Sequence, residues 1–343
     1  MKFDFEITQK TLKCISEIER VKGVLEAISI NKAGLEKLRE LSAAYESHYS
    51  THIEGTTLTL KQSENILLHN NQKGTRRNDA LELLNYMKAF NLASGTGRVR
   101  IGEADIKKYH SILVKGVRGE EASPGKYRTK QNYVVNSATG DIVYTPPPPD
   151  KVPALMKDFS LWLSKKDELH PVVKSAIAQF WLVHIHPFRD GNGRAARILS
   201  MLILFSAGYD FNRLFTLSEY YDKNRLKYYN AIQSARDTGG APDLTQWIEY
   251  FCEGLKKQLK ATGKTVLESS EKSSEKSSEK SSEKILAMFR KNSKMSAAQA
   301  AEILGITSRG VEKQISALKK AGLLKRIGGD KGGHWEVKEN SRL

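Results

Sequence analysis

Twelve consecutive residues, His186-Pro187-Phe188-Arg189-Asp190-Gly191-Asn192-Gly193-Arg194-Ala195-Ala196-Arg197, bring together a base, a hard oxygen ligand and an anion cradle. Histidine accepts protons near neutral pH, so His186 suits removal of the proton from an attacking hydroxyl. Asp190 offers carboxylate oxygens of the kind that hold Mg2+ together with phosphate oxygens and water. Gly191 and Gly193 let a ligand approach the main chain closely. They stand at the start of an apolar run of helical character, whose first N–H groups and dipole favour phosphate. Arg194 and Arg197, at i and i+3, share a helix face and can reach one polyphosphate, and Asn192 adds an amide donor. A plain turn between helices needs neither two arginines nor an acid at these spacings. A metal site made of His184, His186 and Asp190 lacks the i, i+4 histidine spacing of common helical metal sites.

Two segments must carry this loop. Pro171 precedes Val172, Val173, Ala176, Ile177, Phe180, Trp181, Leu182 and Val183, and Ile198 to Phe205 follow Arg197. Both are apolar around most of a helical circumference, which predicts two central, buried helices with the glycine-rich segment on rigid supports. Phe188 is expected to point inward and pin the loop. Most of the region before residue 265 has helical spacing, as at Leu35, Leu38, Leu41, Ala44 and Tyr45. The strand-like exception is 131–144, where Tyr133-Val134-Val135 and Ile142-Val143-Tyr144 flank Asn136 to Asp141, a β-hairpin pattern. Pro146 to Pro149 end it by removing backbone donors.

Nearer the N-terminus, Ser50 and Glu54 are one helical turn apart, and Gly55 suits the end of that helix. At the other end of the chain, Ser-Ser-Glu-Lys repeats four times between Ser269 and Lys284 without an apolar side chain. Such a segment builds no core and reads as a solvated linker, with transient helicity left open. Residues 285–343 carry twelve Lys or Arg against five Asp or Glu. There Ile285, Leu286 and Phe289 suggest one helix, Ala300, Ala301 and Leu304 a second ending at Gly305, and Val311, Ile315 and Leu318 a third. Leu323 to Ile327 and His334 to Val337, around Gly328 to Gly333, read as a hairpin.

The twelve-residue string matches the motif H-P-F-x-D/E-G-N-G-R-x-x-R at every fixed position, and by it the chain resembles the Fic family. The resemblance implies a mainly α fold, the Fic helical fold with a β-hairpin flap. It implies His186 as the base, Asp190 on Mg2+, Gly191, Asn192, Gly193 and Arg194 at the α- and β-phosphates, and Arg197 at the γ-phosphate. The implied reaction moves AMP from ATP to a Ser, Thr or Tyr hydroxyl of a protein, which includes the chain itself, and releases pyrophosphate. Doc-type relatives carry Lys where this chain has Gly193 and transfer phosphate instead. The motif alone does not separate AMP transfer from transfer of UMP or phosphocholine.

The hairpin resembles the family's flap, which holds a target segment by strand addition. Tyr228 and Tyr229 fall where relatives line the adenine and ribose pocket. Ser50-Thr51-His52-Ile53-Glu54-Gly55 resembles the inhibitory motif S/T-x-x-x-E-G/N. It implies that Glu54 competes for Arg197 with the γ-phosphate, and in some relatives the same glutamate positions water to remove AMP. Relatives also dimerise, so a homodimer is a further expectation.

The basic tail resembles a winged helix-turn-helix. Arg309 and Lys313 would stand at the start of the recognition helix, with Lys325, Arg326 and Lys331 near phosphates. Winged helices also bind proteins, which leaves that reading open for the tail. A competing reading of the whole chain is a DNA-binding regulator whose Fic body senses nucleotide without transfer.

The 343 residues exceed one ordinary core and carry a net charge of +16, which favours an anionic partner. Only Cys14 and Cys252 are present, giving neither a disulfide framework nor thiolate spacing for zinc. The first residues lack the pattern of a signal peptide, and no apolar run reaches membrane-spanning length, so a soluble cytoplasmic protein is expected. The divisions expected are an N-terminal helical region with the inhibitory helix (1–75), a catalytic domain (76–265), the repeat linker (266–284) and the winged helix (285–343).

Overall fold

The computed structural model describes residues 1–27, 32–95, 101–117, 123–135, 139–165, 168–209, 211–329 and 332–338, with the side chains of 32, 33, 212 and 267–280 left aside. Two compact units divide it, Met1–Thr265 and Val266–Leu343. No helix among the described residues is long and apolar enough to cross a membrane.

In the first unit, α1 (Gln9–Ala27), α2 (Lys32–Ile53), α3 (Leu60–His69), α4 (Arg77–Gly95) and α5 (Glu103–Leu113) precede a short hairpin of β1 (Val134–Val135) and β2 (Ile142–Tyr144). Helices α6 (Val152–Ser164), α7 (Pro171–Ile185), α8 (Asn192–Ser206), α9 (Leu217–Lys223) and α10 (Arg225–Ser234) follow, and α11 (Thr245–Lys291) begins here. The apolar character of α7 and α8 puts them at the centre. Val172 to Leu182 are almost all buried, as are Asn192 and Arg194 to Leu204. Pro171 opens α7 at its first position, where its missing N–H is harmless. Around this pair lie α4 and α5 against α8, and α2 against both α4 and α9.

Strands β1 and β2 pair antiparallel, Val134 opposite Tyr144 and Val135 opposite Ile142, with a register irregularity between. The turn residues Asn136, Ser137 and Ala138 lie outside the described residues. Tyr133, Val135, Ile142 and Val143 are exposed, so this is an unpaired two-stranded ribbon presenting apolar side chains.

The repeat expected as a solvated linker has a helical backbone, within α11. It contains no Gly or Pro to break a helix, and Glu and Lys are good helix formers. In the second unit, α12 (Ala297–Leu304) is closed by Gly305 at φ 66°, and α13 (Ser308–Lys320) is capped by Thr307, whose hydroxyl accepts from Gly310 N. Strands β3 (Leu324–Ile327) and β4 (His334–Val337) pair antiparallel. Ile285, Phe289, Ala300, Val311, Ile315 and Leu324 belong to one buried cluster. The apolar pattern read from the tail is therefore its core.

Candidate active site

The loop between α7 and α8 starts at His186, which caps α7 in the left-handed region, at φ 52° and ψ 54°. Few side chains adopt that conformation without support, and the surroundings supply it. His186 N–H donates to Leu182 O at 3.0 Å. Arg128 Nε donates to His186 O at 2.8 Å, Arg128 N–H to Pro187 O at 2.9 Å, and another guanidinium nitrogen of Arg128 reaches Pro147 O. Arg128 thus ties the base to the proline run after the flap.

The ring of His186 hydrogen-bonds through Nδ1 to Val183 O at 3.2 Å. A carbonyl only accepts, so Nδ1 carries the proton and Nε2 is left with its lone pair. Burial, with the nearby Arg236 cation adding to it, pushes the imidazole down to about 4, against the smaller pull of the Val183 carbonyl and Glu54. His186 is therefore neutral and able to accept a proton at physiological pH.

Asn192 corrects one expectation. Its side chain does not face outward as a phosphate donor. Phe188 N–H donates to its Oδ1 at 2.9 Å and its Nδ2 donates to Phe188 O at 2.8 Å, so both ends of the amide pin the loop. Phe188 is fully buried and lies flat on His110, ring centroids 3.6 Å apart. Asn132 Nδ2 donates to the same Phe188 carbonyl at 3.1 Å.

Gly191 N–H donates to Asp190 Oδ1 at 2.6 Å, which fixes the carboxylate at the mouth of the loop. Gly125 N–H donates to His110 Nδ1, so His110 Nε2–H must be the donor to Asp190 O, at 2.9 Å. Gly191 has φ +78°, and a Cβ there would come within 2.8 Å of Val114 Cγ1. Glycine is required for its backbone and for space.

Arg194 differs most from expectation. It is 1% exposed, donates to Glu82 Oε2 of α4 at 2.6 Å and reaches Asp190 Oδ1 at 3.3 Å. A guanidinium buried that deeply needs carboxylate partners, so this side chain locks α8 to α4 instead of extending to a ligand. Arg197 is also buried, and α2 with the residue after it supplies its partners: Nε donates to Ser50 Oγ at 2.7 Å, and Nη2 to Ser50 O and Glu54 Oε1, each at 2.8 Å. Burial disfavours its charge, yet Glu54, with Tyr228 and Tyr86, outweighs this and holds the guanidinium above its usual range. Glu54 is the first residue past α2, and Gly55 beside it takes φ 100°. The Glu54 carboxylate lies over Gly193, in the space a Cβ at that position would fill. A carboxylate thus sits at the N-terminus of α8, where dipole and open N–H groups favour an anion.

The two tyrosines separate. Tyr228 is buried, its ring stacked on Tyr221 at 4.5 Å, and belongs to an aromatic core with Trp247 and Tyr250. Tyr229 is 48% exposed, and its hydroxyl donates to Ile53 O at 3.4 Å. On the far side of the loop, Tyr144 of β2 donates to His184 O at 2.9 Å, with the Arg236 guanidinium 3.5 Å above its ring. The flap is thereby seated on the last turn of α7.

No cluster of three metal-ligating side chains occurs among the described residues. The donor set that fits Mg2+ is Asp190 alone, a hard carboxylate held beside the anion cradle, as expected for an ion completed by phosphate oxygens and water.

In the tail, Arg309 and Lys313 are exposed on one face of α13, opposite Val311 and Ile315, and Lys325 is exposed on β3. Arg326 is half-buried, its guanidinium 4.8 Å over the Trp335 ring, and so is less available to a ligand than expected. Lys331 lies outside the described residues.

Sequence reading missed Arg128, Asn132, His110 and Glu82. Glu82 carried a signal, as an acid between the buried Ala80 and Leu83. The others gave none, because their partners are backbone atoms of a distant loop.

Residues 100–204 match the model of the Fic/DOC family, and residues 279–325 that of a winged helix-turn-helix DNA-binding domain. Relatives named protein adenylyltransferase Fic, from Drosophila erecta and Drosophila melanogaster, are each 29% identical over 251 residues. That alignment covers 71% of this chain and 47% of the relative, so the chain spans about half the length of the curated relatives it matches. Among solved structures, a Fic family protein from Desulfovibrio desulfuricans aligns over 100% of both chains with a TM-score of 0.66 at 19% identity. Fic-1 from C. elegans aligns over 76% of this chain and 73% of its own with a TM-score of 0.60 at 24% identity. The mainly helical first unit therefore has the Fic fold. The chain thus contains a Fic domain, matched over residues 100–204, and a winged helix-turn-helix domain, matched over residues 279–325.

Proposed function

We propose that this chain is a protein adenylyltransferase that moves AMP from ATP to a Ser, Thr or Tyr hydroxyl and is held off by its own Glu54. One observation carries the reading. A carboxylate, Glu54, occupies an anion cradle made of Arg197 and the first turn of α8, with a neutral, proton-accepting His186 at the other end of the same short loop.

In this reading, His186 Nε2 takes the proton of the target hydroxyl as its oxygen attacks the α-phosphorus. The first-turn N–H groups of α8 hold the phosphate that gains charge. Asp190 and the phosphates would hold Mg2+, which neutralises the charge of the leaving pyrophosphate. Arg197 orients the γ-phosphate once Glu54 withdraws. The target segment adds to the β1–β2 ribbon, whose exposed Tyr133, Val135 and Ile142 offer apolar contact beside main-chain pairing. Glu54, once free of Arg197, also provides a carboxylate to activate water for AMP removal. The exposed Arg309, Lys313 and Lys325 of the tail contact the phosphates of duplex DNA.

Intact-mass measurement after incubation with ATP and Mg2+ tests this. An AMP-sized increase on the chain or an added target, absent in His186→Ala, is expected. Nucleotide binding without any adduct, in the wild type and in a variant lacking the Glu54 carboxylate, points instead to a regulator that only senses ATP.

A further inference from the structure

Helix α2 and the residue after it carry three acceptors at four-residue intervals, Glu46, Ser50 and Glu54, and the last two engage Arg197. The first is an anchor. Glu46 is 1% exposed and accepts from Tyr86 Oη at 3.0 Å, from Ser218 N at 3.0 Å and from the Ser218 hydroxyl. It fixes α2 to the core and to the start of α9.

The end of α2 is held differently. His52 Nδ1 lies 2.9 Å from Asp222 Oδ2 at the end of α9 and 2.6 Å from Arg225 Nη2 at the start of α10. Arg225 Nε donates to Asp222 Oδ1 at 2.7 Å, closing a three-residue cluster. The next residue, Ile53, receives at its carbonyl the hydroxyl of Tyr229 from α10. His52 and Arg225 have side chains 39% and 37% exposed. The last turn of α2, with Glu54 beyond it, is therefore strapped down from the solvent side, while the two turns before it, Ala43 to Ser50, are largely buried.

We propose that the α9–α10 elbow is the latch of the brake, with Asp222 and Arg225 as positioning residues that act on Glu54 through His52. This rests on the reading of Glu54 as inhibitory. Opening the latch frees only the stretch after Ser50, because Glu46 stays anchored. Glu54 then leaves Arg197 and Gly193 while the part of α2 around Glu46 and Ser47 stays packed in the core. Partly exposed charged contacts stabilise weakly, so the elbow is the place where a modest input can move the carboxylate.

Self-labelling with ATP carrying label on the α-phosphate tests the latch in the full chain. Asp222→Asn and Arg225→Ala should each raise incorporation by about three- to tenfold. Asp222→Asn added to Glu54→Gly should leave incorporation at the Glu54→Gly level, since the latch acts only through that carboxylate. Amide exchange in 50–55 should quicken in Asp222→Asn while α7 and α8 remain protected. If Glu54→Gly raises labelling but neither latch variant does, or if Asp222→Asn lowers labelling in both backgrounds, the latch is wrong and the brake stands. If Glu54→Gly itself gains nothing, the brake reading falls and the latch with it.

Discussion

Arg197 Nη2 donates to Glu54 Oε1 across 2.8 Å, joining the second turn of the central helix α8 to the end of α2, 143 positions earlier in the chain. The arginine is 2% exposed and the glutamate side chain 28%, so one partner is fixed and the other faces water. The asymmetry makes the carboxylate the part that can leave. A γ-phosphate, with more charge and more acceptor oxygens, is the natural competitor for the same guanidinium.

The pair one turn earlier on α8 has the opposite character. Arg194 and Glu82 are 1% and 3% exposed, and neither can rearrange without leaving a buried charge. Glu82→Ala should lower stability by about 3–5 kcal/mol, read as a fall in denaturation midpoint. Glu54→Gly should lower that midpoint by less than Glu82→Ala, because the lost carboxylate is itself partly exposed and Arg197 keeps two hydrogen bonds to Ser50.

Gly191→Ala should both destabilise and inactivate. The left-handed backbone and the clash with Val114 together cost about 2–4 kcal/mol. Circular dichroism melting and ATP binding, measured together, should fall in parallel, and ATP binding unchanged in a folded variant would contradict the role given to this turn.

Acid should weaken the fold over a defined window. His48, His110, His184 and His186 are each lowered from 6.5 to about 4, burial being the largest cause in every case. The unfolded chain takes up protons below about 6.5 while the folded one does not until about 4, so this stability is complete above 6.5 and is lost as pH falls through 4. Thermal midpoints between pH 7.5 and 4.5 should decline steadily below 6.5. Labelling by Glu54→Gly should hold its rate at pH 6, where an ordinary histidine base would already be largely protonated.

For the tail, retention on duplex DNA should weaken with salt, and Arg309→Ala with Lys313→Ala should flatten the log–log slope by about 0.9 for each phosphate no longer neutralised. Salt-independent retention, or none, would favour a protein partner for α13.

The twelve-residue string that marks the Fic domain was legible because its parts are adjacent in sequence and each residue type has few alternative uses in that order. Pro171, the apolar runs and Gly305 likewise marked helices and their ends by local chemistry. What stayed hidden is long-range. Nothing near Arg194 in sequence says that Glu82 will claim it, so two arginines at i and i+3 looked equivalent when only one has a partner that can withdraw. Asn192 looked like a ligand donor because amides at such loops can serve either purpose, and its pairing with Phe188 depends on the backbone path. Tyr228 and Tyr229 were adjacent and alike on paper, yet a helix turns neighbours about 100° apart, sending one into the core and the other to the end of α2. The repeat showed that lack of a core does not preclude a helical backbone.

In the proposed function, Glu54 holds back a competent transferase. Incorporation of α-phosphate label from ATP into protein, compared between the wild type, Glu54→Gly and His186→Ala, tests it most directly. Incorporation should be low for the wild type, higher by about tenfold or more for Glu54→Gly, as expected when a charge-assisted competitor is removed, and absent for His186→Ala. Equal incorporation by the wild type and Glu54→Gly would contradict it.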